Sequence, residues 1–208
     1  MPLMSITLYF APRSSATPIV WALAELGLDY EGVQVDLQAG EQKQPALMAH
    51  NPMGQVPTLV DGDHGMFEST AILVWLGERY GVERGLWPRL DSPEHMVALT
   101  WTSWFAVTLG ATLRMVMLNT TDWWPEELRN AGQAEKGKER LAELMKILDE
   151  RLGKQEYLVG DRFTLLDCYG ASVLAWATSM VGFDLGTTPK IGAWIQRCMA
   201  REAAKSIQ

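Results

Sequence analysis

The spacing of apolar residues changes near residue 82. Before that point, short alternating runs are interleaved with helical stripes; beyond it, only helical stripes remain. MSITLYF, residues 4–10, is a compact β-branched and aromatic run and predicts a strand. Ala11-Pro12-Arg13-Ser14-Ser15 breaks it, and Ile19, Val20, Leu23 and Leu26 then recur at helical spacing with Gly27 as the stop. Val33, Val35 and Leu37 alternate with polar neighbours and predict a second strand, and residues 41–50 a short helix. A third strand is expected at residues 56–60 and a fourth at 65–67, joined by the turn Asp61-Gly62-Asp63-His64. Ile72, Trp75, Leu76 and Tyr80 line one face of a closing helix. The order is β-α-β-α-β-β-α. A strand–helix–strand unit makes a parallel pair and the hairpin adds antiparallel strands, so a small mixed sheet covered by helices is complete by residue 82.

Residues 83–91 read as a linker, and 92–208 as an all-helical domain. One long helix is expected over 92–118. Leu141, Leu144, Met145, Leu148 and Leu152 mark a second, and further helices are expected over 164–181 and 189–200. Thr164-Leu-Leu-Asp167 has the form of a capping box with Asp in the acidic position, and Phe163 is placed for a hydrophobic staple against Cys168. The fold class is therefore α/β plus all-α: domain 1–82, linker 83–91, domain 92–208.

Composition narrows the function. The 208 residues are 48% hydrophobic and 21% charged, a globular balance. No long uninterrupted apolar run predicts a membrane span. The start, MPLMSITLYFAP, lacks the basic segment and small-residue cleavage site of a secretion signal. Cys168 and Cys198, with three scattered histidines, make no metal-ligand spacing, so no metal is expected, and structural thiols fit a cytoplasmic protein. A net charge of −7 argues against nucleic acid as partner. Residues 1–82 carry three basic and nine acidic side chains, so an anion bound there must rely on local donors: Arg13, Lys43, backbone N–H groups and helix N-termini.

Five segments in order carry a resemblance: LYFAPRSS, NPMGQVPTL, the FESTAI helix entry, GDRFTLLD and the closing AWIQRCMAREA. Together they resemble the cytosolic glutathione transferases, of the bacterial serine type with theta-, beta- and phi-like features, over the whole chain. The resemblance implies a thioredoxin-like N-terminal domain that binds glutathione and a C-terminal helical bundle that holds the acceptor. It implies a cis Val56-Pro57 bond, with the Val56 N–H and C=O free to pair with the cysteinyl backbone of glutathione like an added strand. It implies that Glu68 takes the γ-glutamyl amine while Ser69 and the first helical N–H groups take the carboxylate. Gln55 and Lys43 match positions that reach the glycyl carboxylate. Arg13 stands where many relatives carry glycine.

The family activates the glutathione thiol with a donor at the start of the first helix, and here Ser14 and Ser15 both qualify. Lowering a thiol pKa from about 8.5 by about two units takes roughly 2.7 kcal/mol. One hydrogen bond to the charged sulfur supplies about 1.5–3 kcal/mol and the helix end up to about 1 more. The nearby Tyr9 fits the pattern less well. Whichever serine is not the donor is expected to cap the helix. The acceptor is expected to be a small apolar electrophile against Trp101, Trp104 and Phe105, and the chain to be a homodimer. The rival activities are a glutathione-dependent disulfide reductase or peroxidase, and a non-catalytic binding or assembly module.

Overall fold

The computed structural model describes residues 6–182 and 184–207. The chain divides into two compact units: residues up to Leu90 together with those from Arg201, and Asp91–Ala200.

The first unit is built on a four-stranded sheet of order β2-β1-β3-β4, with β1 at Ile6–Phe10, β2 at Tyr30–Gln34, β3 at Thr58–Asp61 and β4 at His64–Phe67. β1 runs parallel to β2 and antiparallel to β3, and β3 pairs antiparallel with β4. Met4 and Ser5, expected to open the first strand, lie outside the described residues. α1 (Thr17–Leu26) crosses between the parallel strands and ends at Gly27, whose φ of 59° suits the left-handed helix stop. Trp21, Ile19 and Leu23 of α1 are fully buried, as are Ile72, Leu73 and Leu76 of α3 (Ser69–Leu76), and the two helices pack together.

Two elements differ from expectation for local reasons. β2 begins at Tyr30 and stops at Gln34, because the Asp36 carboxylate accepts the N–H groups of Gln38 and Ala39 at 2.9 and 3.1 Å and folds a turn. Val35 still bonds Phe10 at 2.8 Å, but Leu37 falls in the turn and is 42% exposed. The helix expected over 41–50 splits into a 3-10 turn at Glu41–Lys43 and α2 at Pro45–Met48, since Pro45 keeps Gln44 extended at ψ 149°. β3 starts at Thr58, just after the cis Val56–Pro57 bond.

The end of the chain returns to this unit, where the sequence had placed 92–208 in one helical domain. The 3-10 segment Glu202–Ile207 packs along α1, and the Arg201 guanidinium makes two 2.6 Å bonds to the Glu25 carboxylate, which also accepts the Trp21 indole N–H.

The second unit contains α4 (Pro93–Ser103), a π-helical turn at Trp104–Leu109, α5 (Gly110–Thr120), α6 (Ala131–Leu152), α7 (Leu165–Val181) and α8 (Pro189–Met199). Pro93–Thr120 is one helical run, long and apolar enough by length and composition to cross a bilayer. Its α5 half packs on α6 and α7 as core, with Gly137 of α6 admitting Val116 at close range. The capping box at α7 is present. Asp167 is fully buried and accepts from Thr164 N and Oγ1, Leu158 N and Trp194 Nε1 at 2.8–2.9 Å. Burial pushes its carboxyl pKa up against the opposing effect of these hydrogen bonds. The start of α8 is capped from α6, where Asp149 accepts the N–H groups of Lys190 and Ile191.

Candidate active site

Three segments of the first unit converge because of strand register. Tyr9 pairs with Thr58 and Thr58 with Phe67. The turn after β1, the loop before β3 and the helix mouth after β4 therefore open at one end of the sheet. Ser14 and Ser15, Val56 and Pro57, and Glu68 and Ser69 are thus brought to one end of the sheet, although the first and last of these pairs are more than fifty residues apart in the chain.

In the first segment the two serines differ. The Ser14 hydroxyl donates to Ala11 O at 2.7 Å and accepts the Ala16 N–H at 3.1 Å, both within its own turn. Ser15 is an exposed residue whose hydroxyl donates to Val56 O at 2.9 Å, across 41 residues. Neither serine caps α1, whose N-cap is Ala16 with no side-chain cap bond, so the capping role expected for one of them is corrected. Arg13 adopts φ 54°, the left-handed region that favours glycine. Of the three basic side chains in residues 1–82, Arg13 alone has no hydrogen-bond, ion-pair or ring partner among the described residues.

The loop before β3 is pinned by a residue that sequence reasoning missed. Asn51, 1% exposed, donates to Gln55 O and Thr58 Oγ1 and accepts the Met53 N–H, each at 2.9 Å. Thr58 also donates to Gln55 O. The Asn-Pro turn signal in HNPMGQVP is the one trace of this lock in the sequence. Beneath the loop, Val56 packs with Ala11, Val35 and Leu47, and Tyr9 lies against the same cluster, which makes its ring part of the floor. The Gln55 side chain is exposed, and Lys43 donates to Met53 O at 2.8 Å, lying across the space left by the absent side chain of Gly54. Lys43 therefore lies against Met53 and Gly54, the residues that precede Gln55 in the loop.

At the third segment, Glu68 is the N-cap of α3 with φ 67°, and its exposed carboxylate makes no cap bond. The first N–H groups of a helix have no partner within the helix. An exposed acid beside them offers opposite charges to a ligand at a single point.

The aromatic residues expected around an acceptor lie in the other unit. Trp101 and Trp104 are half-buried with ring centres 5.0 Å apart, and the Arg151 guanidinium lies 4.6 Å over the Trp101 ring. Burial lowers the Arg151 pKa. Trp104 also borders an open depression of about 400 Å3 with Thr100, Ser103, Val107 and Thr108. Phe105 does not reach a surface: it is 1% exposed, edge-on to Trp104 and Tyr169, and fills the space over Gly170. Among the described residues, no group of three or more His, Cys, Asp or Glu side chains is placed to hold a metal ion.

A thioredoxin-like unit with a hydroxyl-bearing helix mouth, followed by a helical unit, defines a class of glutathione-dependent enzymes. The "Glutathione S-transferase, N-terminal domain" family matches residues 4–78, and the "Glutathione S-transferase, C-terminal domain" family residues 110–202. Glutathione S-transferase F10 of Arabidopsis thaliana is 30% identical over 98% of this chain and 96% of its own length. Glutathione S-transferase 3 of Zea mays is 31% identical over 95% of this chain and 90% of its own. The crystal structure of glutathione transferase URE2P8 from Phanerochaete chrysosporium, solved with oxidized glutathione, superposes with a TM-score of 0.86 at 25% identity, covering 97% of this chain and 92% of that one. The chain belongs to the glutathione S-transferase family and is a glutathione transferase.

Proposed function

We propose that this enzyme joins the glutathione thiolate to a small apolar electrophile, with the thiolate stabilised by the Ser14 hydroxyl. The observation that carries the reading is the convergence of the serine turn, Val56 and the Glu68-Ser69 helix mouth at one end of one sheet. Glu68 would take the γ-glutamyl amine, and Ser69 with the helix N–H groups its carboxylate. Val56 N–H and C=O would pair with the cysteinyl backbone, and Lys43 and Gln55 would serve the glycyl carboxylate. Arg13 adds a cation, without a partner among the described residues, beside the serine turn.

Ser14 is favoured as the sulfur donor because the Ala16 N–H it accepts orients and polarises its hydroxyl. Its proton can leave the neutral Ala11 carbonyl for the stronger, charged sulfur acceptor. The thiolate then forms the carbon–sulfur bond, and the displaced group leaves with the electron pair of the bond that breaks. Trp101 and Trp104 are the proposed acceptor side, braced by Phe105 behind Trp104. Both cysteines are fully buried thiols, so the chain offers no exposed sulfur for a mixed disulfide, which favours transfer over reduction. Buried thiols also suit a cytoplasmic enzyme.

The proposed assembly is a homodimer, in which an acidic unit avoids its own copy; light scattering is expected to give twice 23.2 kDa. The test of function is retention on immobilised glutathione, followed by chlorodinitrobenzene and peroxide assays. Retention with conjugation and weak peroxide turnover is expected; peroxide turnover alone would replace the transferase reading.

A further inference from the structure

We infer that Ser15 is a positioning residue whose hydroxyl straps the loop before β3 to the mouth of α1 through the Val56 carbonyl. This role rests on the proposed pairing of glutathione with Val56.

Adjacent hydroxyls in one turn have separate partners. Among the described residues, the Ser14 hydroxyl bonds within the turn, to Ala11 and Ala16. Ser15 reaches Val56 at 2.9 Å, and among the described residues this is the hydrogen bond that joins the 11–16 turn to the 51–57 loop. The Ser15 hydroxyl is not used for helix capping, because the N-cap of α1 is Ala16 and no side chain caps it. The remaining restraints on the loop come from elsewhere. Asn51 holds the 53–58 side, and Ala11, Val35 and Leu47 hold Val56 from beneath. These fix the depth of the loop; Ser15 fixes its distance from the helix mouth.

A carbonyl oxygen has two lone pairs. Ser15 uses one and leaves the other for an incoming cysteinyl N–H, so ligand and strap share one atom without competing. The strap therefore sets how far the Val56 carbonyl stands from the helix mouth, and so how well it meets the cysteinyl N–H. Binding geometry and thiol ionisation are then controlled by neighbouring residues, and the two effects separate experimentally.

The experiment compares Ser15→Ala, Ser15→Thr and Ser14→Ala in the full chain. Glutathione affinity is read by calorimetry, thiol ionisation by the absorbance of bound glutathione against pH, and the loop by amide hydrogen exchange over residues 51–57 without ligand. In Ser15→Ala, exchange over the loop is expected to speed up and the Kd for glutathione to rise about three- to tenfold, the worth of one neutral hydrogen bond. The thiol titration is expected to stay in place. Ser15→Thr, which keeps the hydroxyl, is expected to restore both. Ser14→Ala is expected to do the reverse, moving the titration with little change in Kd. Unchanged exchange and affinity in Ser15→Ala overturn the strap while leaving the transferase reading intact. A Ser15→Ala titration moved alkaline at constant Kd makes Ser15 the sulfur donor and also overturns it. A parent chain that does not bind glutathione overturns the proposed function, and this role with it.

Discussion

Two helix mouths in this molecule use the same kinds of residue to opposite ends. At α7, Thr164 and Asp167 are turned inward: the carboxylate is fully buried and accepts four hydrogen bonds, from its own cap, from Leu158 and from Trp194. At α3, Glu68 and Ser69 stand at an equivalent point of the chain, but the Glu68 carboxylate is exposed, makes no cap bond and sits on a backbone with φ 67°. The first mouth spends its hydrogen-bonding capacity on the fold. The second leaves it open and accepts an uncommon backbone conformation, which is the pattern expected where a ligand completes the structure. An acid and a hydroxyl at a helix start serve the fold at α7, and their open geometry at α3 supports the proposed binding role there.

The largest effect is expected at α7. Asp167→Ala leaves the buried Leu158 and Trp194 N–H groups without an acceptor, at about 1–3 kcal/mol each, so a loss of about 3 kcal/mol or more is expected in urea unfolding. Glutathione affinity of the folded fraction should hardly move; a stable variant with collapsed affinity would mean a site had been taken for a cap. At α3 the outcome should invert. Glu68→Ala is expected to weaken glutathione binding by about 1.5–3 kcal/mol with unchanged melting, as calorimetry and thermal scans will report. Thr164→Ala should cost about 0.5–2 kcal/mol of stability at constant kcat/KM, the effect of one lost cap. The smallest effect concerns the turn beside the serines: Arg13→Gly relieves the left-handed backbone at φ 54°, and a gain of about 0.5 kcal/mol in unfolding free energy is expected.

What was legible in the sequence was whatever a few consecutive residues determine. Val56-Pro57, Glu68-Ser69, Gly27 as a helix stop and the Thr164–Asp167 box are all local, and each is found at the element boundary it announces. Contacts between distant residues were not legible. The Ser15–Val56 bond spans 41 residues and the Glu25–Arg201 pair 176, and no periodicity encodes either. Leu37 departs from the expected strand because the alternation continues past the point where Asp36 folds its turn. Trp104 and Phe105 are chemically alike and adjacent, but the π-helical turn beginning at Trp104 decides which faces the core, and its register has no sequence signature. Asn51 is not legible as a lock because an Asn before Pro reads as an ordinary turn, while its three bonds form only once β3 is in place.

The proposed role of a serine hydroxyl at the mouth of α1 is to hold the glutathione sulfur as thiolate. The most direct measurement is the thiolate absorbance of bound glutathione titrated against pH in the parent and in Ser14→Ala. Loss of one hydrogen bond to the charged sulfur is expected to raise the pKa of the bound thiol by about one to two units, with retention on immobilised glutathione preserved. Superimposable titrations in the parent, Ser14→Ala and Ser15→Ala would contradict the account and move the activating role away from both hydroxyls.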